Sequence, residues 1–109
     1  MNNLRNRVQL IGNLGADVET TTSNNGRKRA KLRLATTDVY RNKAGEKVTD
    51  TQWHNCIAWG KDADLLATYG KKGKELAING KLHHDSYQDK DGNTRYSTEV
   101  VVQEFMLLR

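Results

Sequence analysis

The stretch Arg27-Lys28-Arg29-Ala30-Lys31-Leu32-Arg33-Leu34-Ala35-Thr36 changes chemistry at nearly every step. Side chains of an extended strand point alternately to its two faces. Arg27, Arg29, Lys31 and Arg33 therefore share one face, and Ala30, Leu32 and Leu34 share the other, which reads as a half-buried strand. Upstream, Val18 to Thr22 is rich in β-formers, and Ser23-Asn24-Asn25-Gly26 tolerates positive φ, so the two segments form a hairpin. Before it, Arg5 to Ile11 alternates around Val8 and Leu10 and predicts a first strand, followed by a turn at Gly12-Asn13-Leu14-Gly15. Downstream, the polar loop Arg41 to Lys47 leads into a strand from Thr51 to Trp59. One short helix follows Gly60, with Asp62 or Asp64 as its N-cap and Gly70 or Gly73 at its end. Leu76, Ile78 and Leu82 alternate in a further strand, Asp89-Lys90-Asp91-Gly92 turns the chain, and Tyr96 to Val102 forms the last strand.

Three strands, a helix and two strands form the element order of an all-β fold with one short helix, the five-stranded Greek-key oligonucleotide/oligosaccharide-binding barrel. A small open sheet with one helix shares that order. The 109 residues suit a single domain. Eighteen Lys and Arg against thirteen Asp and Glu leave a formal charge of +5, which favours a polyanionic partner. Cys56 is the only cysteine, so neither an internal disulfide nor a cysteine zinc site is available, as suits a reducing cytoplasm. No apolar run approaches the roughly 20 residues of a membrane span, and the start Met1 to Arg7 lacks the apolar core of a signal peptide. A cytoplasmic protein without a membrane role is expected.

Two constellations carry chemistry. The basic face of Arg27, Arg29, Lys31 and Arg33 spaces its cations about 6.6 Å apart. A row of like charges calls for an anion to neutralise it, although a solvated outer face is the other reading. Trp53 and Trp59 have the same strand parity, with His54, Cys56 and Ala58 on the opposite side. If the even-numbered residues pack inward, the indoles lie on a groove face where they can stack unpaired bases; otherwise both belong to the core. Tyr40 and Tyr87 stand beside polar and basic neighbours and extend that platform. His83-His84-Asp85 does not make a metal site, because adjacent strand residues face apart and no further His or Cys completes a shell. Asp62/Asp64 and Asp89/Asp91 are better read as cap and turn than as a catalytic set, so neither enzyme activity nor a cofactor is expected.

Over about Asn6 to Val102 the chain resembles the bacterial single-stranded DNA-binding protein family. The resemblance rests on Gly12-Asn13-Leu14-Gly15, Leu34-Ala35-Thr36, Thr51-Gln52-Trp53-His54, Gly60-Lys61 and Arg95-Tyr96-Ser97-Thr98-Glu99-Val100-Val101-Val102. It implies sequence-independent binding of single-stranded DNA in replication, recombination and repair, without catalysis. Trp53, Trp59, Tyr40 and Tyr87 then match base-stacking positions, and Arg7, Lys43, Lys61, Lys72 and Arg95 match basic positions that contact the DNA backbone. It also implies a homotetramer, with the first strand and the His54 region at subunit contacts, and a cytoplasmic, nucleoid-associated location. Two features depart from the family pattern. Many relatives carry a more neutral strand than Arg27-Arg29-Lys31-Arg33, and His83-His84-Asp85-Ser86 is less basic than usual. The resemblance also implies replication and repair proteins as partners, recruited in relatives by a flexible tail that ends in acidic and apolar residues and that is not among these 109 residues.

Overall fold

The computed structural model describes residues 4–108. Its strands are β1 (Val8–Leu14), β2 (Glu19–Thr22), β3 (Lys28–Arg41), β4 (Lys47–Trp59), β5 (Glu75–Gln88) and β6 (Thr94–Leu107), and α1 (Lys61–Tyr69) lies between β4 and β5. The sheet order is β1-β5-β6-β4-β3-β2, and β1 also pairs with β3. That extra pairing, Asn13 opposite Ala35 and Leu14 opposite Leu34, closes five strands into a barrel. The short β2 is the predicted hairpin partner of β3, with Glu19 opposite Lys31 and Thr22 opposite Lys28. Strands β4 and β6 meet in parallel at Cys56–Val100 and Ile57–Val101, the crossover that makes the barrel a Greek key rather than a meander.

The core follows the alternation of β3. Ala30, Leu32 and Leu34 are buried together with Cys56 and Ala58 of β4, Leu76 and Ile78 of β5, and Val100 and Val102 of β6. Helix α1 adds Ala63 and Leu66 to the same cluster and leaves Leu65 and Tyr69 exposed. Burial pushes the Cys56 thiol up to about 12, since the thiolate would be desolvated inside the barrel. It is a small apolar core residue, not a reactive thiol.

Two local expectations are corrected. Gly12-Asn13-Leu14 is not a turn: β1 runs through Leu14, which enters the core. Gly12 serves a close approach instead, because a Cβ there would lie 2.1 Å from the Ala35 carbonyl oxygen. The helix has no aspartate N-cap either. Its N-cap is Gly60, with no side-chain cap bond, and Asp62 and Asp64 lie within the first turn. Acidic side chains there still favour the positive end of the helix dipole, and Asp64 pairs with Lys28 at 2.7 Å.

The strands also run further than the alternation predicts. Strands β3 and β4 stay paired in register out to Arg41 opposite Lys47, and β5 and β6 out to Gln88 opposite Thr94. These outer halves are two-stranded arms with both faces largely exposed, Val48, Ser97 and Glu99 being half-buried.

Candidate functional site

The antiparallel register of β3 and β4 places Arg29 opposite Trp59, Lys31 opposite Ile57, Arg33 opposite Asn55 and Ala35 opposite Trp53. All eight side chains lie on the outer face, because their neighbours Ala30, Leu32, Leu34, Cys56 and Ala58 fill the barrel. The basic row and the two tryptophans thus form one surface. Trp53 is 50% exposed, which excludes it from the core. Trp59 is half-buried, and Ile57 forms a buried apolar floor between the indoles. Six residues of strand separate the tryptophans by about 20 Å.

The four cations differ in their partners. The Arg27 guanidinium lies 4.5 Å from the centroid of the Trp59 ring, and that of Arg33 lies 5.3 Å from the Trp53 ring. Arg29 pairs with Glu99 of β6 at 3.5 Å. Lys31 lines a depression with Ala16, Asp17, Glu19 and Arg33. Beyond Trp59 the surface continues onto β5 and β6, where Lys81, His83, Asp85, Glu99 and Val101 line a hollow shared with Arg27 and Arg29. Sequence reasoning missed this continuation. Lys81, Glu99 and Val101 reach Trp59 only through the β4–β6 crossover, and the chain pattern alone carries no signal for that pairing.

A family model for the single-strand binding protein family matches residues 5–108 of the chain. The chain belongs to the single-strand binding protein family. It is 43% identical over 102 residues to the single-stranded DNA-binding protein of Rhizobium meliloti (strain 1021), covering 92% of this chain and 59% of the relative. To single-stranded DNA-binding protein 1 of Xylella fastidiosa (strain 9a5c) it is 36% identical over 104 residues, covering 94% of this chain and 76% of the relative. The chain therefore spans 59% and 76% of the lengths of these two. Among solved structures, the Plasmodium falciparum SSB in complex with ssDNA superposes with a TM-score of 0.85 at 27% identity, covering all of both chains. A deletion mutant of the single-stranded DNA binding protein from Thermus aquaticus gives a TM-score of 0.82 at 24% identity, over 95% of this chain and 50% of that one, and shows the shared fold.

Within this member of the family, the remaining expected site residues fall into separate groups. Tyr87 shares its face of the β5–β6 arm with His83 and Asp85, which line the hollow beside Trp59, and stands two residues further out along the arm. Arg95 lies directly opposite Tyr87. Its Nε donates to Asp89 Oδ2 at 2.9 Å, and this guanidinium, then the Asn93 amide, holds the Asp89 carboxyl below the usual carboxylate range. Lys61 begins α1, two residues after Trp59, and Lys72 donates its backbone N–H to Asp17 Oδ1 at 2.8 Å. Tyr40 has even parity, pairs with Val48, and faces away from the Trp53 side of the β3–β4 arm. Lys43 stands at the tip of that arm, in the turn between Asn42 and Gly45. Arg7 is elsewhere. It lines a depression on the outer face of β1, β5 and β6 with Gln9, Asn79 and Met106. His54 is half-buried on the even face of β4, its Nε2 2.9 Å from Thr36 Oγ1. Among the described residues, no group of three or more His, Cys, Asp or Glu is arranged to hold a metal, and no helix is long and apolar enough to cross a membrane.

Proposed function

We propose that the chain binds single-stranded DNA along the outer face of β3 and β4 and its continuation on β5 and β6, without catalysis. The observation that carries this reading is the union of two indoles and four basic side chains on one sheet face. Flat π surfaces hold unpaired bases of any sequence, and Lys and Arg neutralise phosphates. Trp53, Trp59 and Tyr87 stack bases; Arg27, Arg29, Lys31 and Arg33 follow the backbone, with Lys61, Lys72 and Arg95 at the margins. Tyr40 and Lys43 contact a strand that wraps around the β3–β4 arm. The biological setting of this binding is replication, recombination and repair, in the cytoplasm at the nucleoid. Family membership and the resemblance to an SSB–ssDNA complex support the single-stranded DNA-binding reading.

Titration with unstructured oligonucleotides, followed by tryptophan fluorescence, tests the reading. Emission should change on binding, with a site of roughly 4–16 nucleotides per barrel and a weaker response to matched duplex. Raising the salt concentration should weaken binding, with about −0.7 in the log–log slope for each phosphate neutralised. Lys31→Gln should make that slope shallower by about 0.7, whereas Arg29 already has a carboxylate partner in Glu99. Equal affinity for duplex, or a flat salt dependence, would refute the binding mode.

We further propose a homotetramer. Within the protomer, the Val8–Gly12 part of β1 pairs along one edge with β5, whereas β3 takes up only Asn13 and Leu14. An open strand edge offers hydrogen bonds to another chain. Beside it Ile11 and Met106 are 53% and 63% exposed, and Ala77 lies between them in register. His54 marks the other expected contact. Light scattering should return the mass of four chains; a monomer at micromolar concentration would contradict the assembly.

A further inference from the structure

The two arginine–tryptophan stacks share one geometry. Trp59 lies opposite Arg29 and Trp53 opposite Ala35, and in each case the arginine over the ring stands two residues earlier on the chain, at Arg27 and at Arg33. Diagonal neighbours across an antiparallel pair are within reach of long side chains. The same offset used twice, at the two ends of the row, indicates that register and not chance brings these groups together.

Trp53 is held from a second direction. A Cβ added at Gly15 would lie 2.3 Å from its Cζ3 and 2.7 Å from its Cη2, so the benzenoid end of the indole rests against the Gly15 backbone. Gly15 is not among the glycines with positive φ, so space and not backbone conformation calls for glycine here. Its N–H donates to the Arg33 carbonyl oxygen at 2.9 Å, which ties the seat of the indole to the residue that covers it. Gly15, Ala16, Arg33 and Trp53 together line one small depression.

We propose that Arg33 and Gly15 are positioning residues that hold the half-exposed Trp53 indole ready to stack, and that Arg27 does the same for Trp59. This rests on the stacking role given to the two tryptophans. An exposed indole has several rotamers, and a planar cation over one of its faces favours a single one. Fixing that rotamer before binding removes part of the ordering cost of the complex. A guanidinium stacks flat on an aromatic ring, whereas an ammonium is a compact point charge. Arg33→Lys therefore keeps the charge available to phosphate and removes the planar contact.

The test uses protein carrying Trp59→Phe, so that Trp53 is the only tryptophan, excited at the red edge of its absorption where the four tyrosines do not absorb, and an unstructured oligothymidylate as the probe. In the free protein, Arg33→Lys and Gly15→Ala should each lower the tryptophan anisotropy and the near-ultraviolet circular dichroism of Trp53, without unfolding the barrel. Affinity should fall about two- to fivefold for Arg33→Lys, with an unchanged salt slope, the size expected of an exposed cation–π contact. Arg33→Gln should lose more and flatten the slope. In a double-mutant cycle, Arg33→Lys should have no further effect once Trp53 is alanine, because its action passes through the ring. An Arg33→Lys protein with the parent spectrum, or an equal affinity loss with and without Trp53, would overturn the proposal. If Trp53→Ala alone left affinity unchanged, the stacking role would fail, and the free-protein spectra would still decide whether Arg33 and Gly15 hold the ring.

Discussion

Trp53→Ala is expected to lower affinity for unstructured single-stranded DNA by about 1–3 kcal/mol, a loss of roughly 5- to 150-fold. The indole is half exposed on the outer face of β4, and truncating it removes a stacking surface while leaving Lys31, Arg29 and Arg33 in place. The salt slope should therefore stay close to that of the parent. Because the ring is outside the barrel, the melting temperature should move little, whereas a buried tryptophan would cost about 3–5 kcal/mol of stability on the same change. Oligonucleotide titration and thermal melting on one preparation separate these outcomes. Unaltered affinity with a large loss of stability would mean that the ring serves the fold and not the ligand.

Leu34→Ala should do the reverse. Leu34 is fully buried, lies opposite Leu14 at the pair that closes the barrel, and belongs to the main core cluster. Losing its isobutyl group should cost about 2–5 kcal/mol of unfolding free energy, from the lost transfer term and the cavity left behind. Against a typical total of about 5–15 kcal/mol this is a large fraction. Urea unfolding should show a lower midpoint with the slope retained. DNA affinity measured well below the transition should remain near that of the parent, since Leu34 faces away from the groove. A loss under about 0.5 kcal/mol would place Leu34 among surface positions and contradict the assigned barrel interior.

Much of the site could be read from the chain because one face of β3 is buried. Alternation between Leu32, Leu34 and their basic neighbours is a direct record of inside and outside, and the parity of Trp53 and Trp59 follows from Cys56 and Ala58 in the same way. The arms left no such record. From Thr37 to Arg41 and from Lys47 to Trp53 every residue but the half-buried Val48 is exposed, so no apolar period marks how far the strands run. Tyr40 illustrates the consequence: once β3 is known to reach Arg41, the parity that turns Arg33 outward turns Tyr40 to the opposite face. Gly12 looked like a turn because glycine serves tight turns and close approaches alike, and only the Ala35 carbonyl beside it distinguishes the two. The aspartates of α1 had the same ambiguity, since an N-cap and a first-turn acid both favour the helix start. Nothing in the chain pattern brings Lys81 and Glu99 beside Trp59; the parallel β4–β6 pairing does.

The most direct measurement is nuclear magnetic resonance of the 15N-labelled protein titrated with a short unstructured oligonucleotide and, separately, with a duplex of matched length. Both indole N–H signals should shift with the single strand, together with backbone amides of Arg29 to Arg33 and of Trp53 to Trp59, and should move far less with the duplex. Shifts concentrated on the outer face of β1, β5 and β6, around Gln9, Ile11 and Met106, with both indole signals unmoved, would contradict the assignment of the β3–β4 face as the DNA-binding surface.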